Sequence, residues 1–417
     1  MPNPVTFVKF SEFVRSLEAT RASDFGKRSD AQFEGSSAFE EFRKYLLDRY
    51  SGVDVPHSFM DDAGRVIDCI PIEQQSGLKN ASKTVLKPPP LPEPTNLEGK
   101  SPPEKMPPYG EASSSQLDPG RRDSFGNQMS CPAGTIPVLR TTLETLSRFR
   151  NLQDFFRKAP DGGRLPSDKI IRRDGFQHRY AHANQLVQNV GGSNFLNIWQ
   201  PRIAQNEWFS LAQHWYVGGT GAGTQTVECG WQVSPRMYNT PSPCLFIYST
   251  RANYADGSGC YNLDCGAFIQ TNPNVAIPAT LAPSQAGGTQ YEIQLGFYLN
   301  GGAWWFYFQN QAVGYYPISI FQNGALSRAA ESVGYGGETV GQGSFSPMGS
   351  GNFPSLGFGQ AAYQRNMLFY PPTGGAQEPT LSPREPSPGC YKIIGNNHSG
   401  TTWSTYFYYG GPGGVTC

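Results

Sequence analysis

The chain has 417 residues, enough for two or three domains and at least one large core. Its 33 basic and 33 acidic residues cancel, which removes the electrostatic case for binding nucleic acid or an anionic membrane. Forty-eight glycines, 35 prolines and 13% aromatic residues describe many short strands joined by turns, so the main domain is expected to be all-β.

The N-terminal stretch MPNPVTFVKFSEFVRSLEATRASD spaces Phe7, Phe10, Val14 and Leu17 along one helical face. That is the pattern of an amphipathic helix and not the continuous apolar run of a signal peptide. The charged segment up to residue 83 ends in GRVIDCIPIEQQSGL, where Val66, Ile67, Ile70 and Ile72 give a short strand. From Thr84 to Asp123 the chain turns rich in proline and serine and poor in large apolar residues, the composition of an extended, exposed linker. After CPAGTIPVLRTT comes one more helical stretch, LETLSRFRNLQDFFRK, and from about Phe176 an alternating strand pattern runs to the C-terminus. The expected divisions are 1–83 (N-terminal segment), 84–125 (linker) and 126–417 (main domain). No segment approaches the roughly 20 apolar residues that span a bilayer. Two sequons, at Asn80 and Asn397, fit a secreted chain.

Beyond Pro201 the only carboxylates are Glu207, Glu228, Asp256, Asp264, Glu292, Glu331, Glu338, Glu378 and Glu385. A domain with so few acidic groups loses little when they are protonated, which suits an acidic milieu. Carboxylate chemistry must draw on that short list. In TQTVECGWQV the period of two sets Gln225, Val227, Cys229, Trp231 and Val233 on one face and Thr226, Glu228, Gly230 and Gln232 on the other. Glu228 is then either a solvent-facing strand glutamate or a carboxylate on the polar face of a curved sheet, with Gly230 leaving room for substrate backbone. ESVGYGGETVGQGSF places Glu338 after two glycines, in either an ordinary Gly-rich loop or the second half of a carboxylate pair. His178 and His182 in HRYAH have i, i+4 spacing but no HExxH glutamate, so they read as a solvated segment and no metal site is expected. No GxSxG elbow is present, and a cysteine nucleophile would need a histidine placed by the fold. Cys260 and Cys265 enclose four residues, a small disulfide loop rather than a zinc knuckle.

Several motifs occur in collinear order: CPAGTIPVLRTT, WQPRI followed by EWFSLAQHWYV, VECGWQVSP, GCYNLDCGAFIQ, AWWFYFQNQAVGYYPISIF, GYGGETV, MGSGNFPSLGFGQAAYQRN and YFYYGGPG. Together, from about Cys131 to Cys417, they resemble the neprosin family of glutamic peptidases, and GRVIDCIPI resembles the end of that family's activation segment. The resemblance implies an antiparallel β-sandwich of jelly-roll or concanavalin-like type, preceded by a small mixed α/β pro-segment. It implies secretion, two catalytic glutamates on a concave face, cleavage after proline and self-activation in acid; no cofactor is expected. The family's Glu-x-Gly-Trp motif is matched by Glu228, Gly230 and Trp231, and its Gly-Gly-Glu motif by Gly336, Gly337 and Glu338. Cys229 stands where the family usually has Ala, and Tyr335 where Trp is common. The family's short disulfide loop maps onto Cys260 and Cys265, a second bridge is expected between Cys390 and Cys417, and Cys69 and Cys131 are expected to tie the N-terminal segment to the main domain.

In the expected mechanism one ionised glutamate takes a proton from the attacking water, while the other, protonated, donates toward the oxyanion or leaving amine. Gln213 and Tyr335 are candidates for polarising the scissile carbonyl. Trp231, Trp304 and Trp305 either line a groove for proline rings or pack the sandwich core. The proline clusters 88–90, 102–103 and 107–108 make the linker a natural substrate. Residues 1 to about 125 are then a removable intramolecular inhibitor, loosened by acid. A glycoside hydrolase or a sugar-binding sandwich is the alternative, since both use carboxylates and aromatic platforms.

Overall fold

The computed structural model describes residues 6–25, 28, 30–79, 85–93, 110–112, 117–158, 176–204, 207–255, 257–398, 403–415 and 417. The Asn80 sequon, Ser399 of the second sequon and the 102–103 and 107–108 proline clusters lie outside the described residues.

Helices α1 (Phe10–Ala19), α2 (Ala22–Phe25) and α3 (Gly35–Tyr50) lead to strands β1 (His57–Met60) and β2 (Val66–Pro71) and the short helix α4 (Ser76–Lys79). Next come β3 (Glu111–Ala112), β4 (Thr135–Leu139), α5 (Leu143–Leu146) and α6 (Leu152–Phe156). The remainder is strand: β5 (Gln177–Asn189), β6 (Gly191–Asn197), β7 (Glu207–Gly218), β8 (Gln225–Val233), then helix α7 (Pro235–Tyr238) and β9 (Cys244–Thr250). It continues with β10 (Gly259–Tyr261), β11 (Ile269–Gln270), β12 (Tyr291–Asn300), β13 (Ala303–Phe308), β14 (Gln311–Pro317) and β15 (Ala330–Gly341). The last four are β16 (Ala362–Phe369), β17 (Ser382–Arg384), β18 (Lys392–His398) and β19 (Thr405–Gly410).

These strands form an antiparallel β-sandwich. One sheet runs β10-β9-β8-β7-β15-β5-β17, the other β11-β14-β13-β12-β6-β16-β19-β18, with β3 joining β12 in parallel. The core between them follows from alternation: Val227, Cys229 and Trp231 of β8 meet Trp304, Phe306 and Phe308 of β13, while Ala303, Trp305 and Tyr307 point out of the sandwich.

The N-terminal segment covers the outer face of the β7–β8 sheet. Phe13 and Leu17 of α1, Phe39, Phe42 and Leu46 of α3, and Phe155 of α6 share one apolar cluster with Phe209, Leu211, Phe246, Tyr248 and Val340 of the sheet. With a second layer laid over it, β8 is buried at every position, so its alternation of residue types does not become an alternation of exposure. The amphipathic helix begins at Phe10, with Phe7 preceding it, and buries Phe13 and Leu17. The single helix expected over LETLSRFRNLQDFFRK is two. Thr142 caps α5 by accepting from the Thr145 N–H at 3.3 Å, and Asn151 starts α6 afresh by accepting from the Asp154 N–H at 3.0 Å.

Strand β4 pairs with β2 in the small sheet β1-β2-β4, Ile70 opposite Ile136, so chain from both sides of the 84–125 segment builds one N-terminal unit. Arg140, just after β4, reinforces it with a buried ion pair to Asp68. Disulfides join Cys69–Cys131, Cys260–Cys265 and Cys390–Cys417, while Cys229 and Cys244 are free thiols. Of the described parts of the linker, 85–93 runs against the outer face of the β12–β13 sheet, where Leu86 and Leu91 find an aromatic surface, and 111–112 pairs with β12 as β3. Among the described residues no helix is long and apolar enough to cross a membrane.

Candidate active site

Strand β7 is the axis of the site. Gln213 lies opposite Gly230 of β8 on one side and Gly336 of β15 on the other. Two residues from each glycine, on the same face as Gln213, stand Glu228 and Glu338, placed diagonally across the strand. Neither glycine is replaceable: a Cβ at Gly230 would fall 1.9 Å from the Ala212 carbonyl oxygen, and one at Gly336 would fall 2.4 Å from that of Ala181. The spacing Glu-x-Gly therefore records a close approach of neighbouring backbones.

Both glutamates are buried, at 1% and 2% exposure, and they converge on one cation. Lys158, just beyond α6, is 5% exposed. Its Nζ pairs with Glu228 Oε2, lies 2.9 Å from Glu338 Oε2, and donates to Gln213 Oε1 at 2.8 Å. The lysine is held by its surroundings: the Tyr261 hydroxyl donates to its carbonyl at 3.3 Å, and Gln153 of α6 accepts from the Gly257 N–H at 2.9 Å. Glu228 Oε1 accepts from the Thr226 hydroxyl at 2.8 Å and the Tyr254 hydroxyl at 2.7 Å. Glu338 Oε1 meets His178 Nδ1, which the Tyr180 hydroxyl approaches at 3.1 Å, and Gln213 Nε2 donates to Glu338 Oε2 at 3.4 Å.

Burial alone would raise the Glu338 carboxyl, but Lys158 and then His178 overcome it and hold it down at about 2. Burial likewise opposes the charge on Lys158, and the two glutamates outweigh it, raising the ammonium above its ordinary value. Tyr254 is pushed well up by burial and by Glu228 beside it, so it stays a hydroxyl donor. A cavity of about 300 Å³ lies elsewhere, between α1 and the sandwich, lined by Leu17, Arg65, Arg140 and Tyr238, and neither glutamate borders it.

A buried polar chain supports the floor from behind. Cys229 Sγ lies 2.9 Å from His214 Nε2, and His214 Nδ1 meets Asn194 Oδ1. Asn194 donates to Gln364 Oε1 at 2.9 Å, and Gln364 Nε2 donates to the carbonyls of Gln213 at 3.2 Å and Gly336 at 3.1 Å. Since Asn194 Oδ1 accepts, His214 carries its proton on Nδ1 and accepts the thiol proton at Nε2. The residue types are those of a cysteine nucleophile, yet burial pushes the thiol well up and His214 down to about 3, and no part of the chain is exposed. It braces the backbone of the two strands that carry Gln213 and Glu338.

Of the expected site residues, Glu228, Glu338 and Gln213 meet. Tyr335 does not join them: three residues from Glu338 on one strand, it points into the core and donates to the Leu368 carbonyl at 3.1 Å. Trp231 is three residues from Glu228 and likewise inward, its indole donating to the Asn197 carbonyl at 2.9 Å. Trp304 sits in the core, bound to the Leu326 carbonyl at 2.7 Å, and Trp305 faces outward from the opposite sheet. His178 is not solvated; β5 carries it against Glu338 with its side chain 5% exposed. Among the described residues no cluster of His, Cys, Asp and Glu suits a metal ion. Sequence reasoning missed Lys158, His178, Thr226 and Tyr254. Thr226 was within reach, being two residues from Glu228 on one strand face.

Residues 206–412 match the family model for Neprosin. Two solved structures are similar with a TM-score of 0.29, each covering 57% of this chain and 99% of its own. One is SCP-B, a member of the eqolisin family of peptidases in complex with the tripeptide Ala-Ile-His, at 10% identity. The other is scytalido-glutamic peptidase with a peptide-based transition-state analogue, at 9% identity.

Proposed function

Since residues 206–412 belong to the Neprosin family, we propose that the chain is a glutamic endopeptidase held latent by its own N-terminal unit. One observation carries this reading: Glu228, Glu338 and Gln213 all point at Lys158 Nζ. An ammonium that satisfies three acceptors at once occupies the place where a water could be held by two carboxylates. Once the lysine leaves, two buried carboxylates aimed at one point share a proton, which divides them into a base and an acid. The ionised one takes a proton from the water as it attacks the scissile carbonyl. The protonated one donates to the leaving amine, and Gln213 Nε2, the amide donor between them, polarises the carbonyl.

Substrates are peptides, cut on the C-terminal side of proline, and the protein works outside the cell, as the family resemblance suggests. Release follows from the chain's own sequence. Pro160 and Pro166 come two and eight positions after Lys158 and before β5, so a cut after either one detaches the lysine from the sandwich. Residues 1 to about 158 then form the inhibitor.

Mass spectrometry of the purified chain, incubated with a proline-containing peptide at neutral pH and at pH values from 4.5 down towards about 2 beside Glu228→Gln and Glu338→Gln, tests this. The expected result is acid-dependent cutting of the peptide after proline and of the chain after Pro160 or Pro166, lost in both variants. An uncut peptide under every condition overturns the proposal.

A further inference from the structure

Far from the dyad, on the outer face of the other sheet, the chain carries a second aromatic surface that the peptidase reading does not use. Trp305 and Tyr307 of β13 point away from the core because their neighbours Trp304 and Phe306 point into it. Tyr315 of β14 packs against Trp305 with ring centroids 4.7 Å apart, and Tyr298 of β12 meets Tyr370 edge-on at 5.6 Å. The five rings would form a large exposed patch, of the kind that marks an interaction site.

The patch is covered by the segment 85–93, VLKPPPLPE. Leu86 packs against the Trp305–Tyr315 cluster, and Leu91 touches both that cluster and the Tyr370 cluster. Three hydrogen bonds fix the backbone: the Leu86 N–H donates to the Tyr315 hydroxyl at 3.2 Å, the Tyr307 hydroxyl donates to the Pro89 carbonyl at 2.5 Å, and the Ala376 N–H donates to the Glu93 carbonyl at 2.9 Å. Leu78 of α4 and Ile72 also pack against the Trp305–Tyr315 cluster, and residues 85–93 continue the cover from there to the Tyr370 cluster. Proline rings, flanking leucines and carbonyls held by tyrosine hydroxyls are the means by which aromatic grooves take proline-rich chains, whose stiffness lowers the entropy lost on binding.

We infer that this groove is a binding site for proline-rich peptides, with residues 85–93 as its resident ligand in the unprocessed chain. Chain continuity gives the resident segment a high effective concentration, so it excludes competitors. When the N-terminal unit departs, residues 85–93 go with it, and the groove opens on the face of the sandwich opposite the dyad. A proline-rich protein could then be gripped at one face while another of its segments is cut at the other. The opening of the groove by self-cleavage and the description of the gripped protein as a substrate rest on the peptidase reading; the groove's affinity for proline-rich peptides does not.

The test is binding, not cleavage. Fluorescence anisotropy of a labelled VLKPPPLPE peptide is measured on the full chain carrying Glu228→Gln, with and without Leu86→Ser and Leu91→Ser to loosen the resident segment. Loosening is expected to raise affinity at least about tenfold, and Tyr307→Phe with Tyr315→Phe to lower it by about three- to tenfold per hydroxyl. A peptide with its prolines replaced by alanine should not bind. Failure of the loosened chain to bind, or binding indifferent to the two hydroxyls, overturns the inference. Should loosening prevent folding, hydrogen exchange of residues 85–93 in a Tyr307→Phe, Tyr315→Phe chain decides: exchange faster by about threefold or more supports the groove, and unchanged exchange sinks it. Peptide binding by the Glu228→Gln chain, together with no cleavage by the unaltered chain at any pH, refutes the peptidase reading and leaves the groove standing.

Discussion

At the scale of single residues the site rests on one lysine between two carboxylates. Lys158→Met keeps the length of the side chain and removes its charge. The variant is expected to lose latency: peptide cleavage at neutral pH should appear without prior acid treatment, and the pH dependence of processing should flatten. The direction for the unaltered chain follows from Glu338, which burial would raise but which Lys158 and His178 hold at about 2 against an ordinary value of 4.5. A depressed carboxyl stabilises the closed state fully above its ordinary value, and that stabilisation fades as pH falls through 4.5 towards about 2. Processing of the unaltered chain should therefore quicken over that window, which timed acid quenches would read. Glu228 and Glu338 were legible because their motifs carry glycines that the backbone requires. Lys158 was not, since RKAP has no pattern tying it to a strand some seventy residues on. Tyr335 and Trp231 could have been excluded by counting, as each stands an odd number of residues from its glutamate. The adjacent pair Trp304–Trp305 could never have faced one groove together.

At the scale of elements the helices decide what the strands look like. The sheet that carries the dyad has an apolar outer face around it, Phe209, Leu211, Phe246 and Val340, which is unsuited to water until α1, α3, α5 and α6 lie over it. Phe42 of α3 is fully buried in that layer. Phe42→Ala is expected to cost about 3–5 kcal/mol, within the N-terminal unit. Urea unfolding followed by hydrogen exchange should show residues 10–50 opening at lower denaturant while β7, β8 and β15 keep their protection. Equal loss of protection in both would mean that the layers unfold as one body. The sandwich was legible from glycine, aromatic content and alternation. The two-sided burial of β8 was not, because the covering layer comes from chain about seventy to about two hundred residues earlier. The split between α5 and α6 hinged on Asn151, which reads as helix interior by periodicity and as a cap by its side-chain chemistry.

At the scale of the whole molecule, the chain lays out an N-terminal unit over one face, a proline-rich strap along the other, and a return to the unit before the sandwich begins. The return is a strand pairing, β2 with β4, beside a disulfide between Cys69 and Cys131 that are 62 positions apart, and no local signal announces so distant a partner. The boundary expected near residue 125 thus falls between two strands of one sheet. The Cys69–Cys131 bridge turns residues 69–131 into a closed covalent ring, while both remaining bridges lie wholly beyond residue 176. Nicking the ring adds one water and separates nothing, so in electrophoresis a linker-cut molecule runs as a single band until reductant is added. A cut between residues 159 and 175 instead gives two bands with or without reductant. The gel thereby tells a slackened strap from a detached lysine.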